Sequence, residues 1–395
     1  MQSFLDSLIA QGYFTGVPTL VVYAVGMVVF GLIVVLGFIL NVAGVTTFVE
    51  RRVWARIHSR VGPNRVGPQG ILQWLVDGIK LLMKEDVVPA EADPRLFRIA
   101  PYIVVMGFVT TFVVIPFSSA LVIADMNVGV LYLTAVTALV VVGILMAGWA
   151  SNNKWSLIGG VRSAAQIVSY EIPAGLSIFP IVLITGTLSL QGIIQQQGWA
   201  PHTWFVFYSP FTFIAFFILF TSALAEGNRT PFDLPEAESE LVAGFVTEYS
   251  GARYLFFFLV EWGNLYVIGA LVTTLFLGGW QVPHVTDNVV VLNVLQFVTF
   301  FVKSYFWVLV SMWIRATLPR VRVDQLMTTC WKYLVPISFI NLIGQATMLV
   351  LLPHGSRVIA GAMTSLGAVI IGYFFYRVVF HLRRARPEWQ FSPLS

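Results

Sequence analysis

The sequence predicts an all-α fold, a polytopic membrane helical bundle of about nine transmembrane helices plus an amphipathic in-plane helix after the first span. Three observations carry that expectation. Only 11% of the 395 residues are charged while 57% are hydrophobic, whereas a soluble domain carries about a quarter charged residues. Asp, Glu, Lys and Arg are absent from 7–49, 99–124, 126–153, 172–225, 262–286, 333–356 and 358–376, and each gap holds at least one helix of about 20 residues. The runs are continuous instead of alternating, so they do not read as barrel strands, and lipid leaves helices as the other way to pair every backbone group. An ordinary soluble enzyme is excluded.

In chain order, spans are expected at 18–48, 99–121, 129–150, 163–187, 210–226, 254–279, 292–315, 334–353 and 358–380. The amino terminus has no basic stretch before its first apolar run, so that run reads as a span and not as a cleaved signal. With the amino terminus outside, 21 of the 23 Lys and Arg fall on or beside cytoplasmic segments. The positive-inside rule fixes this orientation and puts the carboxyl terminus in the cytoplasm. Loops 122–128, 188–209 and 280–291 contain neither Lys nor Arg, as a translocated face requires. The whole chain, 1–395, reads as a single integral membrane domain, with a cytoplasmic segment at 49–98, an acidic cytoplasmic loop at 227–253, and an extra helix and basic tail at 354–395.

Segment 49–98 opens with Glu50, Arg51, Arg52, Arg56, Arg60 and Arg65 and passes through Gly62-Pro63-Asn64 and Gly67-Pro68-Gln69-Gly70, a turn-rich stretch. A helix follows. Gln73, Asp77, Lys80 and Lys84 share one stripe about 60° wide and apolar residues fill the rest, so this helix lies along the membrane with a thin polar seam toward a cavity or partner. Further on, Glu171 and Glu261 fall about 12 Å inside their spans, where a charge costs on the order of 3 kcal/mol by insertion scales. Pro173 and Gly175 follow Glu171 and loosen its helix. Lys303, deep in another span, is available to pair with one of these acids. Two acids for one base leave at least one to sit protonated or hydrated, which favours a path for protons over a simple interhelical ion pair.

Between two spans lies an acidic run of Glu226, Asp233, Glu236, Glu238, Glu240 and Glu248 around the single base Arg229. Asp233, Glu236 and Glu240 are spaced for one helical face, where like charges repel by a few tenths of a kcal/mol per pair. On the side that topology makes positive, such a loop is expected to join the Arg-rich segments 50–65 and 315–322 in a polar funnel toward Glu171 and Glu261. Other chemistries find no support. Cys330 is the lone cysteine and cannot by itself hold a cluster or structural zinc, so no metal site is expected in this chain. No phosphate loop is evident, and the five His (58, 202, 284, 354, 381) are scattered. Only His58, between Arg56 and Arg60, stands where a proton donor would be useful. The basic residues lie between spans instead of forming a basic domain, so no nucleic-acid partner is expected.

Glu50-Arg51-Arg52, Gly62 to Pro68, Asp77-Gly78-Ile79-Lys80-Leu81 with Lys84-Glu85, Ser169-Tyr170-Glu171, Glu226 to Glu240, and Arg315 to Arg320 with Asp324-Gln325-Leu326-Met327 resemble, in order and spacing, the H subunit of the proton-pumping NADH:quinone oxidoreductase of respiratory chains. The resemblance covers nearly all the cytoplasmic segments. It implies a subunit that catalyses nothing alone, anchors the peripheral redox arm, and forms much of the quinone-access chamber. Glu50, Arg51, Arg60, Asp77 and Arg315 would border that chamber, with Glu240 near it. Glu171, Glu226, Asp233, Glu236, Glu238, Glu240, Glu248 and Glu261 would form a carboxylate chain, and the deep Lys303 is placed with them on the proton path. Quinone would be the substrate. FMN and iron–sulfur clusters would sit only on partner subunits, and the antiporter-like and small membrane subunits would be further partners along with the bilayer. Gly78 departs from the family, where Ala is common, and loosens its helix slightly. The extra span after Arg357 departs from eight-span members and points to a bacterial or archaeal cytoplasmic membrane. The alternative reading is the related membrane subunit of an energy-converting hydrogenase or formate-hydrogen lyase; less favoured is a free-standing ion transporter, for which no inverted repeat is evident.

Overall fold

The computed structural model describes residues 18–234, 238–283, 286, 288–351 and, in the last segment, 358–359, 361–366, 369, 372–373 and 376–377. Among these residues every regular element is a helix and no strand occurs. The first apolar run forms α1 (Thr19–Leu32), a π-helical stretch Ile33–Ile39 and α2 (Leu40–Ile57). The rod continues past the expected span end, so Glu50, Arg51 and Arg52 stand on a helix. The amphipathic helix is α3 (Gln73–Met83), none of whose residues is buried. It reaches α2 through Trp74, against which a Cβ at Gly44 would come within 2.2 Å.

The bundle continues through α4 (Pro94–Thr111), α5 (Gly129–Ala150), α6 (Lys154–Thr185), the short α7 (Leu190–Gln195), α8 (Pro210–Glu226) and α9 (Glu238–Leu241). Then follow α10 (Gly251–Phe276), α11 (Val289–Thr317), α12 (Val323–Thr328), a second π-helical stretch Thr329–Leu334, and α13 (Val335–Leu351). Five stretches are long and apolar enough to cross a membrane: α5, α6, α10, α11 and the run Val323–Leu351. The apolar α8 is shorter, at 17 residues, and α4 stops ten residues before the expected end of its span. The all-α polytopic expectation holds. The count of nine includes 358–380, which is only partly covered by the described residues; Arg357 and most of the basic tail lie outside them.

Local sequence explains where these helices begin. Asp93 accepts from the backbone N–H of Arg95 (3.0 Å) and Leu96 (3.3 Å), with Pro94 at the first helical position of α4. Asn153 and Asn288 cap α6 and α11 in the same way, and Ser209 with Thr212 forms a capping box on α8. Packing is close because small residues sit at the crossings. A Cβ at Gly143 would meet Val104 at 2.4 Å, which sets α5 on α4, and one at Gly269 would meet the Ser304 carbonyl oxygen at 2.3 Å, which sets α10 on α11.

The centre of the core holds Phe97, Phe108, Tyr170, Leu219, Tyr266 and Phe276, all buried. Helix α10 runs through it and touches α2, α3, α4, α8 and α11. Within α6, Pro173 has no N–H to give the carbonyl of Ser169. The Cys330 thiol, on the second π-helical stretch, lies 3.0 Å from that oxygen, and the Tyr170 hydroxyl donates to the Leu326 carbonyl at 3.0 Å. Helix α6 is thus tied to its neighbour on the amino-terminal side of Pro173, immediately before Glu171.

Candidate functional site: a buried charge cluster and two acid-lined cavities

Four elements bring their charges to one place. Helix α2 contributes Glu50, α10 contributes Glu261 and Trp262, α11 contributes Arg315, and the turn after α8 contributes Arg229. Arg315 Nη1 is ion-paired with Glu50 Oε1. Arg229 Nη1 lies 3.1 Å from Glu261 Oε1 and 3.9 Å from Glu50 Oε2, so one guanidinium is shared by two carboxylates. Both cations also stack. The Arg229 guanidinium lies 4.2 Å from the centre of the Trp262 ring, and that of Arg315 lies 4.9 Å from Trp54. Arg229 and Glu50 are each only 3% exposed, a depth at which an isolated ion costs several kcal/mol. Two acids, two arginines and two indoles answer that cost together, since a planar guanidinium offers its face to an indole and its edge N–H groups to carboxylates.

Arg229 is held by the chain around it. Gln166 of α6 donates through Nε2 to the carbonyls of Ala225 (2.8 Å) and Phe232 (2.7 Å) and to Asn228 Oδ1 (3.2 Å). Asn228 in turn takes a left-handed φ of 49° and donates to Ser163 Oγ at 3.1 Å. A tight turn fixed to α6 therefore aims the arginine inward. Just beyond it, Asp233 lies 3.3 Å from Arg320 Nη2. Burial pushes the Asp233 carboxyl above its ordinary range, and the pull of Arg320 in the other direction is the smaller effect.

Deeper in the bundle, two cavities adjoin. One, of about 70 Å³, is lined by Glu226, Glu261, Asn228, Tyr254 and Asn264 among apolar residues. The other, of about 80 Å³, is lined by Glu171, Glu226, Thr134, Thr137 and Asn264. Glu226 borders both, and its Oε1 is buried without a hydrogen-bond donor from the described residues. The three deep acids therefore stand in the order Glu261, Glu226, Glu171 across the two adjoining cavities.

At the edge of the site the polar seam of α3 closes on α2. Arg51 Nη1 lies 2.5 Å from Asp77 Oδ2, Gln73 Nε2 donates to Asp77 Oδ1 at 3.0 Å, and Lys80 lies 4.0 Å from Asp77. Helix α3 continues unbroken through Gly78. Arg60 is exposed beyond the end of α2.

Two expectations need correction. Asp233 does not share a helical face with Glu240: it lies in a non-helical segment because Pro231 and Pro235 flank it and withhold helical N–H groups. The acidic run instead disperses, Asp233 to Arg320, Glu240 to Arg162 at 2.7 Å, and Glu248 to the side-chain amide of Asn153 at 2.6 Å. Lys303 pairs with neither deep acid. Its ammonium donates to the carbonyls of Leu277 (2.9 Å) and Gly279 (3.2 Å) and lies 4.8 Å from the Trp204 ring centre. Leu277 is about 24 Å along the α10 axis from Glu261, beyond any lysine's reach, and the unpaired carbonyls at that helix end are the nearer acceptors. Glu236 and the side chain of Glu238 lie outside the described residues.

Sequence reasoning named Glu50, Arg315 and Glu261 but not the residue that joins them. Arg229 carried one signal, a lone base within an acidic run. Trp54, Trp262 and Asn264 carried none, because they look like ordinary members of apolar or mixed helices. Among the described residues no group of three His, Cys, Asp or Glu could hold a metal ion.

Known proteins resemble this chain along most of its length. A family model described as NADH dehydrogenase matches residues 30–346. The chain is 50% identical over 374 residues to the H subunit of the NADH-quinone oxidoreductase of Anaeromyxobacter dehalogenans, covering 90% of each chain. It is 46% identical to the corresponding H subunit of Chlorobium luteolum, over 77% of this chain and 84% of that one, and 41% identical to that of Dehalococcoides mccartyi, over 88% and 95%. With the matched segment running from the first rod into α13, and with the charge cluster built from elements throughout it, this chain belongs to the family of NADH-quinone oxidoreductase H subunits and acts as a membrane component of that multi-subunit oxidoreductase.

Proposed function

We propose that this protein forms much of the quinone-access chamber of its complex and links quinone reduction to proton pumping through its deep carboxylates. The observation that carries the reading is the sharing of Arg229 between Glu50 and Glu261 beside the cavities that lead to Glu226 and Glu171. The chamber side comprises Glu50, Arg51, Asp77 and Arg315, with Arg60 and Glu240 at its margins. The apolar flank of α3, exposed at Leu75, Ile79, Leu82 and Met83, suits an isoprenoid tail entering from the bilayer. The electrons come from a cluster held by a partner in the peripheral arm; FMN is likewise a partner's, and this chain supplies the tunnel.

Two-electron reduction of a quinone head takes up two protons. A change of charge beside Glu50 alters how strongly that acid holds Arg229, and Glu261 competes for the same guanidinium. Protonation of one acid is thereby felt by the other. Glu226 and Glu171 extend the response into the bundle, toward the antiporter-like subunits. Asp233 tunes the same arginines from the loop. In this reading the basic end faces the cytoplasm of a bacterial or archaeal cell. Lys303, bound to carbonyls at the other end of α10, stands apart from the relay.

Replacing Glu261 or Glu171 by Gln in the intact complex is expected to lower coupled quinone reduction about tenfold while NADH oxidation by an artificial acceptor continues unchanged. Coupled rates equal to those of the unmodified enzyme would remove both residues from the relay. Activity of the purified complex with a soluble quinone distinguishes this reading from a hydrogenase assembly.

A further inference from the structure

Glu226 and Asn264 are the polar residues that line both cavities. Asn264 lies one helical turn beyond Glu261 on α10, so the two project from the same face, about 5–6 Å apart at their Cβ atoms. On the other side it approaches the turn that follows Glu226: a Cβ at Gly227 would sit 3.6 Å from Asn264 Nδ2. The remaining walls shared by the cavities are Val140, Ile167 and Val260, which offer no hydrogen bond. A proton moving from Glu261 to Glu171 through these two cavities passes beside Glu226 and Asn264.

Resting on the relay reading above, we propose that Asn264 is a positioning residue for proton transfer, its amide orienting water at the junction so that Glu226 exchanges protons with Glu261 on one side and Glu171 on the other. The chemistry suits the place. A carboxamide both donates and accepts, so it can hold water against a carboxylate or a carboxylic acid. It does not titrate, so it adds no trap for the proton. The side chain makes no hydrogen bond to protein among the described residues, which leaves both functions free for the cavity. A fourth acid here would compete with Glu226 for the same proton, and an aliphatic side chain would separate the two chambers with a dry collar.

The test compares Asn264→Thr with Asn264→Val in the assembled complex, because the two replacements share a shape and differ by a hydroxyl for a methyl. Quinone reduction, proton pumping and their pH profiles are measured against artificial-acceptor activity as the internal standard for assembled enzyme. The Thr variant should retain at least half the coupled rate, and the Val variant should fall at least threefold below it, with the deficit growing as pH rises and protons become scarce. Equal rates and equal pH profiles for the two would overturn the assignment, as would a Val variant indistinguishable from the unmodified enzyme. Glu226→Gln in the same series keeps the two ideas apart. If it leaves coupled activity intact, the carboxylate relay itself fails; if it impairs coupling while Thr and Val remain equal, only the role of Asn264 is lost.

Discussion

The middle and the end of α10 bury positive charge in opposite ways. Near its middle, Arg229 and Arg315 meet Glu50 and Glu261, stacked on Trp262 and Trp54. Near its end, Lys303 meets no carboxylate among the described residues and binds the carbonyls of Leu277 and Gly279 over Trp204. The second arrangement closes a helix: Gln197 completes it by donating to the carbonyl of Thr274 at 3.0 Å and accepting from the N–H of Gly278 at 2.8 Å. Its partners are fixed dipoles, so it has one stable state. The first arrangement joins groups whose charge can change, and one cation is divided between two of them. A buried cation held by carbonyls is a fastener, whereas one held by competing acids can respond to a proton.

The sharpest way to break that contrast is Arg229→Met. Removing one partner of a buried cluster strands the others, at a cost of about 3–5 kcal/mol. The expected outcome is a steep loss of assembled complex, read from the amount of this protein retained in membranes and from thermal unfolding of what remains. Lys303→Met comes next. It leaves two carbonyls unpaired but strands no counter-charge, so it is expected to cost about 1–3 kcal/mol, lowering thermal stability while the protons pumped per electron stay constant. A loss of pumping at normal stability would put Lys303 back among the relay residues. At the small end is Asp324→Asn. Asp324 faces Arg322 at 3.5 Å with both side chains about four-fifths exposed, and a solvent-screened pair of this kind contributes little. Neither stability nor coupled activity should move measurably.

The sequence made some of this site legible. Charges within apolar runs stand out because hydrocarbon excludes them, which is why Glu171, Glu261 and Lys303 were visible at once. The period of α3 was equally plain, and Asp77 does occupy its seam. Caps such as Asp93 and Ser209 were written in local residues too. Less visible was the fate of the acidic run. Spacing suggested one face for Asp233 and Glu240, yet two prolines and three separate partners, Arg320, Arg162 and Asn153, take the acids apart.

By itself the amino-acid order determined that this chain is a bundle of apolar helices, which ends carry its basic residues, and which acids lie where a membrane would forbid them. Those properties follow from hydropathy, period and local capping, all of which act over a few turns. Tertiary structure alone decided that Arg229 stands between Glu50 and Glu261, that Lys303 turns away to a helix end, and that Asn264 lies where two cavities meet. Electrostatic pairing acts over a few ångströms of space without regard to chain distance. Glu50 and Arg315, 265 residues apart, become neighbours only when α2 and α11 pack against α10 and each other.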